Sequence, residues 1–198
     1  MEPGIELLLS NINRHISLTQ EERERFVSFL KIRSLKNGEL LLREGDICKF
    51  ESFVVKGCLK TYYTGEEGQE HIIDFSVEEW WADDLYSFLS QKASKTNIRA
   101  IEDTDILQIS QWDLEKVYRE IPAFERFFRL LFQNAFIAQR EQINQALSAT
   151  AEERYLAFIQ KKPYAEKRFS QKDIASYLGI TPQFLSAMKK KMVRVNVD

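Results

Sequence analysis

Gln183, Ser186, Ala187 and Lys190 recur every three or four residues near the C-terminal end, a spacing that gathers them on one side of a helix. A glutamine amide can pair with adenine N6 and N7, and a serine or lysine at this position can reach base edges or phosphate. Pro182, Phe184 and Ala187 offer only apolar contact, such as to a thymine methyl. Lys189 and Lys191 supply phosphate attraction. Ser170, Gln171 and Lys172 fall at the start of a preceding helix, where free amides and the helix dipole favour an anion. A run of lysines is otherwise just a solvated face. The weight of the reading therefore rests on what holds these side chains in place.

Two short helices position them, and their start and stop signals are explicit. Ser170 is an N-cap with Asp173 three residues on, a short-armed capping box, and Phe169 with Ile174 forms a hydrophobic staple. Gly179 ends the first helix because it adopts a left-handed conformation without a Cβ clash. Thr181 caps the second helix, Pro182 opens it, and Ile180 with Leu185 forms a second staple. Ile174, Ala175, Leu178, Ile180, Leu185, Met188 and Met192 can share one core. The pair reads as a DNA-reading helix-turn-helix, against the simpler alternative of an αα-corner packed on something else.

Charge separates along the chain. Residues 151–198 hold ten Lys/Arg and five Asp/Glu, a net of +5, which leaves −7 on residues 1–150. A basic tail on an acidic body suits a module that meets phosphate joined to one that does not. Cys48 and Cys58 make neither a disulfide framework nor metal-binding CxxC spacing. No apolar run is long enough to span a bilayer and no signal peptide is visible, so the expected location is cytoplasmic, with no membrane partner. A metal enzyme on a β-roll of the cupin kind, with an unrelated helical tail, is the rival reading. It needs His-x-His with a carboxylate, and the chain has only His15 and His71. Those two are also the only candidate haem ligands, and a structural role is expected for both. Glu78-Glu79 and Asp83-Asp84 read as exposed acids, no Ser/His/Asp or Cys/His set is visible, and no metal site, catalytic residue or firm cofactor is expected.

Taken in order, residues 5–32 read as helical, with Thr19-Gln20-Glu21-Glu22 as a capping box. Between 33 and 112 the period shortens. Apolar runs at Leu40–Leu42, Phe53–Val55, Cys58–Tyr63, His71–Phe75, Ile98–Ile101 and Asp105–Ile109 alternate with turn residues, which predicts a compact β-roll. Glu78–Leu89 reads as a short helix or loop over the roll. A short helix at 113–118 precedes a long, unusually apolar one from Pro122 to Leu147. Its broad stripe needs two partners. The roll covers one side, and the other reads as a seam for a second copy of the chain along Phe124, Phe128, Leu131, Ala135 and Ala138, against the alternative of a central helix buried within a monomer. Ser148-Ala149-Thr150 is a hinge, Ala151–Gln160 a helix, and Lys161–Arg168 a basic loop. The fold class is α+β: an N-terminal jelly-roll with flanking helices, a long dimerisation helix and a C-terminal helix-turn-helix. The expected domains are 1–147 and 148–198.

This order resembles the Crp/Fnr family of transcription factors. The residues that carry the resemblance are Gly38 with Leu42-x-Glu44-Gly45-Asp46, Phe53-x-Val55-x-x-Gly57 with Tyr62, Glu152-Glu153-Arg154-Tyr155, and the 170–192 block. The resemblance implies a cyclic-nucleotide-binding-like roll, a homodimer, double-stranded DNA as ligand, RNA polymerase as a candidate partner, and a small wing after the last helix. Only Val193–Asp198 are expected to follow that helix, so the wing is reduced or missing. Members that bind cyclic nucleotides carry a Gly-Glu-Leu cassette with an arginine ten residues on. Here the cassette is Asp83-Asp84-Leu85, and Ser94 stands at the arginine position. Asp84 can hold a hydroxyl, but Ser94 cannot neutralise a phosphate. Gln139 and Arg140 complete the expected effector pocket, with Arg140 and Arg99 as replacement cations, Arg99 the more plainly a solvated surface residue. An effector, if there is one, is an unknown small molecule. The reading helix departs too: where many members carry Arg, Glu and a second Arg, this chain has Pro182, Gln183 and Ala187.

Overall fold

The structure, a computed structural model, describes residues 3–195. By internal contacts the chain divides into two compact units, residues 1–64 with 73–133 and residues 65–72 with 134–198.

The first unit is built on two four-stranded antiparallel sheets. One runs β1 (Lys31–Leu35), β8 (Thr104–Ser110), β3 (Phe50–Lys56), β6 (Trp81–Ala82). The other runs β2 (Leu40–Leu42), β7 (Asn97–Ala100), β4 (Leu59–Thr64), β5 (Glu70–Ser76). Every neighbouring pair but β4–β5 is non-consecutive in sequence, the connectivity of a jelly-roll. The β3–β4 turn depends on Gly57, whose φ is +95° and where a Cβ would stand 2.6 Å from the Asp103 carbonyl oxygen.

Helices α1 (Pro3–Asn13), α2 (Gln20–Val27), α4 (Gln111–Glu120) and the start of α5 (Ala123–Ser148) enclose this core, while α3 (Leu85–Ser90) follows β6. The predicted capping box at Thr19 is present: its hydroxyl accepts from the Glu22 amide at 3.2 Å, and its own amide donates to the Glu22 carboxylate at 2.8 Å. Phe124, Phe127 and Phe128 on α5 form an aromatic cluster with Phe26 and Trp81. Phe26 stacks on Phe124 at 4.2 Å, and Trp81 meets Phe128 edge-on at 5.5 Å. Each such ring contributes about 1.5–3 kcal/mol by leaving water.

The second unit contains the rest of α5, then α6 (Ala151–Lys161), α7 (Ala165–Arg168), α8 (Gln171–Tyr177) and α9 (Pro182–Val195). Tyr155, Phe158, Phe169, Ile174, Ala175, Leu178, Leu185 and Met188 are its buried centre. Thr150 caps α6 in a second capping box with Glu153. Segment 65–72 joins the unit through Ser176, whose hydroxyl donates to the Glu70 carbonyl at 2.7 Å and accepts from the Ile72 amide at 3.0 Å.

Several expectations are corrected. Residues 31 and 32, read as helical, begin strand β1, and Trp81–Ala82 is a strand rather than part of a helix or loop. The basic loop before Phe169 contains α7. The last helix extends to Val195, past the Val193 start expected for a tail, and residues 196–198 lie outside the described residues. Among the described residues no helix is long and apolar enough to cross a membrane.

Candidate nucleic-acid interface and effector cassette

The turn between α8 and α9 forms as its residues require. The Ser170 hydroxyl accepts from the Asp173 amide at 3.0 Å and donates to the Asp173 carboxylate at 2.8 Å. Gly179 has φ +67°, and the Thr181 hydroxyl accepts from the Phe184 amide at 3.1 Å. Leu185 and Met188 are buried, which fixes the rotation of α9 about its axis. Thr181, Pro182, Gln183, Phe184, Ser186, Ala187 and Lys190 are thereby all exposed, as are Gln171 and Lys172 at the start of α8. Phe184 is 53% exposed, a large ring with no cover of its own.

The lysines divide. Lys189 is half-buried and pairs with Glu166 on α7, which also accepts from the Tyr155 hydroxyl at 2.7 Å. That ammonium, and then the Tyr155 hydroxyl, hold the Glu166 carboxyl below its ordinary range. Lys189 thus anchors α9 to its own unit and is not an outward phosphate ligand. Lys191 makes a loose 3.7 Å pair with Glu152. Lys172 and Lys190 form no hydrogen bond or ion pair among the described residues and remain available to a phosphate.

Arg154 adds a brace that spacing alone does not indicate. Its guanidinium donates to the Ala149 carbonyl at 2.6 Å and to the Leu178 carbonyl at 3.0 Å. One side chain therefore ties the end of α5 to the last turn of α8, satisfying carbonyls that helix ends leave open.

The effector cassette is closed on itself. One Asp84 carboxylate oxygen accepts from the Ser87 amide at 3.1 Å, as the N-cap of α3. The other accepts from the Ser94 hydroxyl at 2.6 Å and the Thr96 hydroxyl at 3.3 Å. Ser94, 2% exposed, also accepts from the Thr96 amide at 3.0 Å. The two positions at which the resemblance would place ribose and phosphate ligands are thus bonded to each other. A cavity of about 420 Å³ does open within the first unit, but Leu42, Cys48, Phe50, Ser52, Ala82 and Ile98 are among its lining, and Asp84, Leu85 and Ser94 are not. Leu85 is half-buried at the start of α3, and Gln139 and Arg140 lie exposed on the second half of α5. Arg99 is half-buried with its guanidinium 5.0 Å from the Tyr62 ring centre, so it is no freely solvated surface residue.

Two other readings are revised. Phe124 and Phe128 are 0% and 1% exposed, packed in the chain's own core, so they do not face a second copy. Leu131 and Ala138 are half-buried and Ala135 exposed. The acids at 78–79 and 83–84 are not plainly exposed. Glu78 accepts from the Gly57 amide at 2.9 Å, Glu79 pairs with Arg14 at 2.5 Å, and Asp83 lies against Glu51, which is fully buried. Nothing in the Phe50-Glu51-Ser52 stretch marks Glu51 as internal, because a glutamate in a strand ordinarily faces water. Both cysteines are free and buried, and burial pushes the Cys48 thiol up to about 12.

Comparison with known proteins agrees with this architecture. The model of the cyclic nucleotide-binding domain matches residues 32–120. The electron transport regulator A of Shewanella oneidensis is 25% identical over 79% of this chain, a match spanning 66% of that protein. The transcriptional activator protein anr of Pseudomonas aeruginosa is 24% identical over 86% of this chain and 74% of its own. The structure of FixK2 from Bradyrhizobium japonicum superposes with a TM-score of 0.72 at 19% identity, covering 84% of this chain and 86% of that one. With a jelly-roll, a long helix and a capped helix-turn-helix in that order, the chain is similar to regulators of the Crp/Fnr type over most of its length.

Proposed function

We propose that this protein is a DNA-binding transcriptional regulator that lays α9 in the major groove of duplex DNA. The observation that carries the reading is the division of α9. Leu185 and Met188 bury one side, while Gln183, Ser186, Ala187 and Lys190 stand exposed on the other behind a tight capped turn. Gln183 reads adenine, Phe184 and Ala187 meet thymine methyls, and Lys190 and Lys172 hold phosphates. The relatives' printed names, a transcriptional activator and an electron transport regulator, support the same activity.

The protein acts as a homodimer through α5. Phe136, Ile143 and Leu147 are 63%, 44% and 84% exposed at i, i+7 and i+11, a heptad-like stripe suited to a second copy. The seam therefore lies beyond the residues that pack on the roll. The hinge at 149–150 marks the functional boundary between sensor and reader. The sensor does not take a cyclic nucleotide in the usual way, because Asp84 is engaged by Ser87, Ser94 and Thr96 and no arginine occupies position 94.

Selection of sequences from a randomised duplex pool by the full chain tests this reading. The expected product is an inverted repeat with half-sites about one helical turn, roughly 10 base pairs, apart. Recovery of no common sequence overturns it.

A further inference from the structure

The β3–β6 register pairs Ser52 with Ala82 and Phe53 with Trp81. One step further along the same antiparallel pair, Glu51 stands opposite Asp83, and opposed residues share a face. That face is covered. Phe53 meets Trp81 at 5.4 Å, and Trp81 lies 6.1 and 5.5 Å from Phe127 and Phe128 of α5. Glu51 is 0% exposed, and no N–H or O–H group donates to either of its carboxyl oxygens. The buried Trp81 Nε1 likewise finds no acceptor.

Glu51 is fully buried and Asp83 half-buried, and two ionised carboxylates are both acceptors and repel, so they stay together there only if a proton lies between them. No cation relieves them: neither forms an ion pair with a lysine, arginine or histidine among the described residues. The titratable groups that act on the pair or feel it are Asp84 beside it, Cys48 from the β2–β3 connection and Tyr118 from α4. Glu115 and Glu125 reach only Tyr118. Every one of these is acidic or neutral.

We propose that Glu51 and Asp83 form a proton-binding site in the sensor roll, holding one shared proton at neutral pH, and that its release loosens α4 and the first half of α5 from the sheet. Glu51 is the donor and Asp83 the acceptor. On release the proton passes to water and leaves two charges beneath the aromatic cluster. Burial first, and then the neighbouring carboxylate, push Glu51 well above its ordinary range, and burial pushes Asp83 up to about 6. Raised carboxyl values mean that the folded state binds the proton more tightly than the unfolded state. Their stabilisation is complete below the ordinary carboxyl range and is lost as pH rises, through about 6 for Asp83 and higher for Glu51. The position adds a consequence, because Asp83 adjoins Asp84, the cap of α3 and the centre of the effector cassette.

The test is denaturant unfolding of the full chain between pH 5 and pH 8, beside Glu51→Gln, whose amide donates to Asp83 without a titrating proton. The native chain loses at least about tenfold in its folded-to-unfolded ratio over that span, the equivalent of the one pKa unit between pH 5 and the Asp83 value of about 6, and the variant loses less than a third of that. Parallel curves overturn the proposal. Should the variant not fold, infrared spectroscopy of the native chain decides: a protonated-carboxyl carbonyl band at pH 7 that disappears with rising pH, while amide exchange across 111–133 quickens beyond its intrinsic pH dependence, supports the site. Absence of that band at pH 7 refutes it.

Discussion

The cassette of the first unit and the reading helix of the second use the same side-chain chemistry in opposite ways. Ser94 and Asp84 satisfy each other at 2.6 Å, with Ser87 and Thr96 closing the remaining positions. Ser186, Gln183 and Lys190 are exposed, with no hydrogen bond among the described residues. Polar groups that bond to their own chain stabilise the fold and have little left for a ligand, whereas exposed groups held on a rigid helix add little stability and keep their full capacity for recognition. The difference supports the proposal that α9 is the recognition surface and that the cassette residues stabilise the fold.

The largest effect tests the scaffold beneath the reading face. Leu185→Ala removes a side chain that is fully buried between the two short helices. A cost of about 2–5 kcal/mol is expected from the lost burial and the cavity. Chemical denaturation followed by circular dichroism measures it, and DNA binding should fall in proportion to the unfolded fraction. A cost below 1 kcal/mol, an amount typical of surface changes, would mean that α9 is not held by this core.

Serine-to-alanine changes in the two regions set the comparison against itself. Ser94→Ala strips a donor from Asp84 and an acceptor from the Thr96 amide, at an expected cost of about 1–3 kcal/mol. Ser186→Ala, on the exposed face, should stay within about 0.5 kcal/mol. Equal costs would erase the distinction. Calorimetric titration of the native protein with cyclic AMP sharpens the same point. No heat is expected, and binding in the micromolar range would show that the Asp84–Ser94 bond opens for a ligand.

Much of the helix-turn-helix was legible because its signals are local. Ser170, Gly179 and Thr181 cap and stop helices through atoms within three residues of themselves, and each is seen doing so. The Thr19 box is another such case. What stayed hidden depends on distant neighbours. Only Ser28, Phe29 and Leu30 separate α2 from strand β1, whose Ile32 is 59% exposed, so no alternation sets the strand apart from the helix before it. Phe124 and Phe128 are apolar at helical spacing whether they face the roll or a second copy, and only the packing decides. Glu51 and Asp83 are far apart in sequence, and the strand register that joins them leaves no mark on either segment.

Thr181→Ala is expected to cost about 1 kcal/mol of stability through loss of the α9 cap. The smallest effect on stability, and the most informative on function, is expected at Lys190, whose ammonium makes no bond among the described residues. Lys190→Ala should leave the unfolding curve unchanged. Lys189→Ala should destabilise by detaching α9 from Glu166.

The most direct measurement is the salt dependence of binding between the full chain and a duplex recovered by selection, for the native protein, Lys190→Ala and Gln183→Ala. Binding that weakens linearly in log–log form with added salt is expected. Lys190→Ala should lower the slope by about one, and Gln183→Ala should leave the slope intact while losing about 1–3 kcal/mol at an adenine position. Binding insensitive to salt, or unchanged in both variants, would contradict the assignment of α9 as the reading helix.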